Sequence, residues 1–523
     1  MDTEGSTSEY IFYIKLASMK LKKYRNYLFF SLLIVLYFIL DFQTILFLSP
    51  QGIHFIRQTD SLSFVANYFN NGFQFFEPQV FNLQSIEGKA ACEFPILYYI
   101  TAILYSIFGE HEFILRLLTV LVSSIGFFYL FKLLYLLLQD LVFALAFSFL
   151  FISSTVLLHY TINFLPDASA FGFTMIGWFL YFKYINSKPV KKYLFFGFLF
   201  FTLASLIKVT YFINPFTAII SITVFYLTNK AGNNEKIRVN KSSIFLFLTS
   251  FSIILGWNIY TIYYNKINHD TYFLNQAAPI WNLSNDQILK VWDYIINYWY
   301  SKYYYQTTFH FYFLVIIAGI LFVKQSNRFL LLTSSVLFIG TLSYFLLFFA
   351  QFKDHDYYFI AMIPAIIFLV INAFIALRNK YTRLINNYIT KFLVVTICVL
   401  SLNYAREKIN QRYMNSNDIF SSIGFKLTDT RDYLDSLEVS QQAKFIILTD
   451  QTPNGGLYFI NRQGWNVKDT SEASLEAISR YINQGADYLL LTDNQFINKR
   501  FKGKLKGQKD GIRIYDLKNY QND

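Results

Sequence analysis

Arg57-Gln58-Thr59-Asp60, Glu93-Phe94-Pro95, Asn163 with Pro166-Asp167, Lys208, and the run Lys353-Asp354-His355-Asp356-Tyr357-Tyr358 stand beside long apolar segments of this chain. Carboxylates gathered with lysine, arginine and histidine are the groups needed to take a proton from a hydroxyl and to neutralise an anionic leaving group. Ionisable groups at membrane depth are costly and usually face an interior cavity, so their gathering implies chemistry at a bilayer surface. Each also has a plainer role. Thr59 or Asp60 can cap a helix running to about Asn70, which Asn71-Gly72 would end. Asp167 follows a proline at a helix start, where the helix dipole favours an acid. Glu93 can be a solvated loop acid, residues 353–358 a polar hairpin, and Lys208 can reach the interface along its own stem. Together these plainer roles lose weight, because acids and bases collect on one side of the apolar segments.

The elements that must position these groups are membrane helices. The chain has 523 residues, 54% hydrophobic and only 15% charged, a composition of a polytopic membrane protein rather than a water-soluble globule. Apolar runs near 27–48, 114–137, 140–158, 168–185, 191–207, 209–228, 243–264, 309–324, 328–350, 359–377 and 387–403 predict about eleven spans. Basic loops stay in the cytoplasm. Lys15, Lys20, Lys22, Lys23 and Arg25 therefore put the N-terminus inside, and the loops with Lys188, Lys191 and Lys192, with Lys230, Lys236, Arg238 and Lys241, with Lys324 and Arg328, and with Arg378, Lys380 and Arg383 fall on the same side. Loops 49–113, 159–167, 265–308 and 351–358 then lie outside, and they carry the polar groups. Residues 95–108 read as an interfacial amphipathic helix, since a span there would invert every later loop. The first apolar segment, of full span length, reads as a retained signal anchor.

The net charge of +12 reflects membrane orientation and anionic lipid rather than nucleic-acid binding. Cys92 and Cys398 suggest neither a disulfide framework nor a metal site. Trp281, Trp292, Trp299 and the tyrosines through Tyr305 read first as an interfacial belt. After Asn403 the composition turns to a soluble mixture, with strands expected at 444–449, 487–492 and 511–516 and helices at 422–437 and 471–484. The expectation is an all-α membrane domain, residues 1–403, followed by a small extracytoplasmic α/β domain, residues 404–523. Pro453-Asn454-Gly455-Gly456 lacks phosphate-loop spacing and reads as an ordinary turn.

The ordered series Arg57-Gln-Thr-Asp60, Asn71-Gly72-Phe73, Pro78-Gln79, Glu93-Phe94-Pro95, Phe108-Gly109 leading to Arg116-Leu117, Leu165-Pro166-Asp167, Leu206-Ile207-Lys208 and His355-Asp356-Tyr357-Tyr358 before Pro364 resembles the bacterial GT-C membrane glycosyltransferases. These are similar to dolichyl-phosphate-mannose protein mannosyltransferases and the lipid A aminoarabinose transferase. The resemblance implies a transferase at the outer face of the cytoplasmic membrane that inverts the anomeric carbon of a polyprenyl-phosphate-linked sugar. Its acceptor would be a lipid-linked glycan, a lipid or a protein. It implies that Asp60 is the catalytic carboxylate and Glu93 an acid beside the site. Phe94 stands where the aminoarabinose enzyme has a phosphate-contacting lysine, so Arg57, Lys208, Lys353 or His355 would supply that charge, with Asp167, Asp356 and Tyr357 in the same substrate-binding set. No cofactor is expected; no ligand cluster calls for a divalent metal, although some relatives use one.

Competing readings are a lipid-linked-sugar flippase or other transporter, and a polysaccharide polymerase or ligase. For the first, neither the related halves nor the broken helices that transporters often show stand out in the sequence. The second would more naturally carry its large loop late in the chain. A surface anchor for the C-terminal domain ranks last, because that domain has no evident catalytic set.

Overall fold

The computed structural model describes residues 24–186, 190–229, 241–273, 277–414, 418–468, 472–492 and 503–518. Lys15, Lys20, Lys22, Lys23, Lys188, Lys230, Lys236 and Arg238, used above for orientation, lie outside the described residues.

Each expected apolar segment is helical, as a chain in hydrocarbon must be to satisfy its own backbone. In chain order the main helices are α1 (Tyr24–Ile39), α2 (Phe55–Asn70), α3 (Ile96–Phe108), α4 (Phe113–Leu138), α5 (Leu141–Ile152), α6 (Thr155–Thr161), α7 (Asp167–Asn186), α8 (Lys191–Ile207), α9 (Ile213–Asn229), α10 (Lys241–Ile267), α11 (Asn285–Tyr294), α12 (Gln306–Leu321), α13 (Arg328–Leu347), α14 (Ile363–Lys380) and α15 (Tyr388–Met414). Among the described residues six helices are long and apolar enough to cross a membrane, or eight if each of two bent pairs is one span. The sequence expectation was about eleven; α1, α7 and α8 are helical where expected but fall outside that set. The expected span at 140–158 is broken: α5 and α6 meet at 79°. Ser154 makes the break, since its hydroxyl caps Leu157 N–H and also donates to the Tyr303 carbonyl at 3.0 Å.

Neither Thr59 nor Asp60 caps α2. The helix begins at Phe55, after His54 in the left-handed region (φ 58), which leaves both residues in its second turn. Gly52 (φ +67) permits that entry, because a side chain there would meet the Arg412 carbonyl oxygen at 2.7 Å. The helix ends where the sequence indicated, with Asn71 N–H bonded to Asn67 O and Gly72 at φ +85.

α15 runs past Asn403 to Met414 and leads into α16 (Ser422–Leu427), α17 (Thr430–Ser436), β1 (Phe445–Leu448), α18 (Gly455–Ile460), β2 (Gly464–Val467), α19 (Glu472–Asn483), β3 (Tyr488–Leu491), β4 (Lys504–Lys509) and β5 (Ile512–Asp516). The sheet order is β2-β1-β3-β5-β4, parallel across β2-β1-β3 and antiparallel across β3-β5-β4. β2 and β4 were not anticipated: Gly-Trp-Asn-Val and the lysine-rich edge strand lack the apolar runs of β1 and β3. The first loop joins this domain. Leu83 N–H bonds Gly464 O at 2.8 Å and Gly464 N–H bonds Phe81 O at 3.1 Å, extending the sheet beyond β2. Phe55, Ala66 and Phe81 complete the core under β1 and β3 with Leu427, Leu457 and Leu490.

Candidate active site

The entry turn of α2 turns Arg57 and Asp60 one helical turn apart toward the segment that carries Glu93. Arg57 Nη1 donates to Asp60 Oδ2 at 3.3 Å, and Arg57 Nη2 donates to both oxygens of Glu93 at 2.9 and 3.0 Å. Tyr98, on the first turn of α3, donates to Glu93 Oε1 at 2.5 Å. Asp60 is fully buried and accepts two further bonds, from Tyr272 Oη to Oδ2 and from Asn454 Nδ2 to Oδ1, each at 2.8 Å.

The same neighbours set the two carboxyls apart. Burial pushes the Asp60 carboxyl above its ordinary range, a push that Arg57, Asn454 and Tyr272 only partly offset. Burial acts on Glu93 as well, but Arg57, Lys208 and Tyr98 outweigh it and hold that carboxyl well below the ordinary range. Asp60 is thus the better base, and Glu93 is the fixed anion.

Two adjoining cavities open on this cluster. The larger, ≈ 760 Å³, is lined by His54, Arg57, Glu93, Lys208, Tyr272 and His355 among others. The smaller, ≈ 210 Å³, lies among Asp167, Leu206, Lys208, Trp257, Tyr344 and Phe348. Cys92, Glu93, Lys208, Tyr357 and Tyr358 belong to both walls. Asp60 lines neither; Arg57 and Tyr272 reach back to it from the larger cavity's wall.

Lys208, in extended backbone just after α8, pairs with Asp167 at 3.6 Å and lies 5.1 Å from the centre of the Tyr357 ring. Burial alone would lower its pKa, but Asp167 and Glu93 raise it, so the ammonium stays charged. His355 is different. Burial, followed by the charges of His54, Arg57 and Lys208, drives it down to about 3, and its Nδ1 is buried with no hydrogen-bond partner. It presents a neutral imidazole to the larger cavity. Asp167 Oδ2 is likewise buried and unpartnered beside the smaller one.

Two residues of the expected set stand apart. Asp356 lines neither cavity: it accepts from Tyr160 Oη at 2.7 Å and from Arg412 Nη1 at 2.7 Å, and His54 Nε2 lies 3.1 Å away. That network ties the first loop to α6 and α15. Lys353 lies in an outer groove with Asp293, Tyr294, Tyr298 and Asp354. Phe94, at the position where the resemblance implies a phosphate-contacting lysine, packs on Phe75 and Trp257, and its N–H bonds Leu206 O two residues before Lys208. Lys208, just past the end of α8, therefore lies close to the segment that carries Phe94.

Tyr98, Tyr272, Asn454, His54 and Arg412 were not singled out in the sequence. For Asn454 a signal existed in the turn Pro453-Asn454-Gly455-Gly456, which follows a strand. Among the described residues no group of three or more His, Cys, Asp or Glu is placed to hold a metal ion.

Residues 92–260, which include Glu93, Asp167 and Lys208, match the family model of dolichyl-phosphate-mannose-protein mannosyltransferase. No curated protein matches the chain by sequence. Among solved structures, ArnT from Cupriavidus metallidurans in the apo state is similar with a TM-score of 0.56 at 10% identity, covering 93% of this chain and 97% of that one. The same protein bound to undecaprenyl phosphate gives 0.54 at 10% identity over the same shares. The apo oligosaccharyltransferase of Archaeoglobus fulgidus gives 0.50 at 14% identity, covering 88% of this chain and 69% of that one. The chain thus shares its overall fold with these membrane glycosyltransferases, and residues 92–260, about a third of its length, match the mannosyltransferase family model.

Proposed function

We propose that this protein transfers a sugar from a polyprenyl-phosphate donor to an acceptor hydroxyl at the outer face of the cytoplasmic membrane, inverting the anomeric carbon. The observation that carries this reading is the charged cluster on one cavity wall, where Glu93 and Lys208 flank the space and Arg57 links Glu93 to Asp60 behind it. ArnT is a fold relative solved with undecaprenyl phosphate, which supports a lipid-phosphate donor here. The N-terminus is cytoplasmic in this reading, and the C-terminal domain lies outside with the loops that form the site.

The donor's phosphate sits against Lys208 in the smaller cavity, whose apolar residues Leu206, Trp257 and Phe348 suit the start of a lipid chain. Its sugar faces the larger cavity, where His355 Nδ1 and the tyrosines offer hydrogen bonds to hydroxyls. The acceptor oxygen attacks the anomeric carbon as the bond to phosphate oxygen breaks. Its proton passes to Tyr272 Oη while the Tyr272 proton moves to Asp60 Oδ2, along the 2.8 Å hydrogen bond that already joins them. Glu93, kept ionised, faces the positive charge that develops on the sugar, and Lys208 receives the negative charge that develops on the phosphate.

The test is transfer from a panel of radiolabelled polyprenyl-phosphate sugars by membranes holding wild type or Asp60→Asn at equal abundance. Transfer by the wild type that collapses in the variant supports the reading and identifies the sugar. Equal transfer by both removes Asp60 from the mechanism. Movement of lipid-linked sugar across the bilayer without transfer to any acceptor turns the assignment to a flippase.

A further inference from the structure

We infer that the C-terminal domain completes the active site, with Asn454 as the positioning residue that holds Asp60 in its working orientation. The inference rests on the base role proposed for Asp60.

Asp60 is surrounded on two sides by different parts of the chain. Oδ2 takes Arg57 from the same helix and Tyr272 from the loop after α10. Oδ1 takes Asn454 from the C-terminal domain, and among the described residues no other side-chain donor reaches Oδ1. A carboxylate has about four lone-pair positions, so Oδ2 is full and Asn454 alone decides how Oδ1 is turned. If Oδ1 swings, Oδ2 leaves the line of the Tyr272 hydroxyl.

Asn454 is itself oriented. Its Oδ1 accepts from Asn82 N–H at 3.0 Å, which forces the amide nitrogen toward Asp60, and Asn82 Nδ2 grips the Pro453 carbonyl at 2.6 Å. The loop beneath is stapled by Asp450. One of its oxygens accepts from Thr452 N–H and hydroxyl, the other from Gly456 N–H and Asn466 Nδ2, at 2.7–2.8 Å. The loop follows β1, the strand from which the parallel sheet grows in both directions, to β2 and to β3. Open α/β sheets hold their ligands outside the strand ends at such a reversal point. Here that place receives a carboxylate of the membrane domain.

The same bond acts on charge. Asn454 donates to the ionised form of Asp60 and so favours it, alongside Arg57 and Tyr272 and against Glu93. Asp450 is the acid of the same loop, and Tyr272, Arg57 and Glu93 are the ionisable groups on the other elements packed here.

The experiment is the pH profile of kcat for wild type, Asn454→Ala, Asn454→Asp and Tyr458→Phe, in membranes with a donor that the wild type uses. Alanine removes one bond to the ionised carboxylate and moves the acid limb upward by about one pH unit. Aspartate keeps the acceptor for Asn82 N–H but sets oxygen against oxygen, and moves the limb further. Tyr458→Phe breaks the 2.6 Å contact between this domain and Glu112 without touching Asp60, and leaves the limb in place. That ordering supports the inference. An unmoved limb in both Asn454 variants, with Asp60→Asn inactive, overturns it and leaves the base intact. An equal movement in Tyr458→Phe also overturns it, since loosened docking would then be the cause. Asp60→Asn with full activity fails the underlying reading instead.

Discussion

Arg57 and Glu93, 36 residues apart, meet through one guanidinium nitrogen that reaches both carboxylate oxygens, while the other terminal nitrogen reaches Asp60. The planar fork is what lets one cation pair with two acids at once. It holds Glu93 ionised and leaves Asp60, on the longer 3.3 Å bond, the more basic of the two.

Arg57→Lys keeps the charge and loses the fork. The expected result is a fall in kcat of about 10- to 100-fold, equivalent to roughly 1.4–2.7 kcal/mol of barrier, with the donor KM little changed. Steady-state kinetics in nanodiscs would decide it; a change confined to KM would place Arg57 on the substrate phosphate instead.

The pH dependence follows from the two carboxyls. A base works only when ionised, so activity rises with pH through the raised pKa of Asp60, and the acid limb lies above the ordinary aspartate value of about 3.9. Glu93 stays ionised throughout that window, and His355, at about 3, stays neutral, so neither adds a limb there. A limb at or below the ordinary aspartate value would contradict this order.

Lys208→Gln removes the cation that both cavities share. A charge-assisted hydrogen bond contributes about 1.5–3 kcal/mol, so donor KM is expected to rise by roughly 10- to 150-fold with Asp60 still titrating as before. Lys353→Gln, in the outer groove, should leave donor KM unchanged. The reverse pattern, read from the same saturation curves, would move the phosphate site.

Much of this architecture was legible from apolar length alone, which marks helices because hydrocarbon leaves the backbone no other partner. Asp60 and Glu93 were legible as acids in the segment that follows the first apolar helix. The start of α2 was misread, since His54 enters it through a left-handed φ with no side-chain cap and so without a cap signature. The partners of the acids were not legible for a different reason. Tyr272 and Asn454 reach Asp60 across 212 and 394 residues, and His54 meets Asp356 across 302, so each contact exists only once the loops are folded together. Lys353 and Asp356 show the converse. They are three positions apart, yet one faces the outer groove and the other is buried in an anchor.

That anchor carries a stability prediction. Arg412→Met leaves the fully buried Asp356 without its cation, and breaking a buried pair costs about 3–5 kcal/mol. Purified protein should melt several degrees lower in a thermal shift assay, and adding Asp356→Asn should recover part of the loss. An unchanged melting temperature in Arg412→Met would show that His54 and Tyr160 suffice.

The seam between residues 81–83 and β2 also sets an order in time. Asn82 and Leu83 leave the ribosome long before their partners Pro453, Asn454 and Trp465, which follow 371–382 residues later. At about 5–20 residues per second that interval is roughly 20–75 s. Throughout it the helix bearing Asp60 has neither its last hydrogen-bond donor nor the sheet edge that seats it. The network around Asp60 is therefore unfinished until the final hundred residues have been made, and a protein truncated during synthesis carries Asp60 and Glu93 without the Asn454 contact.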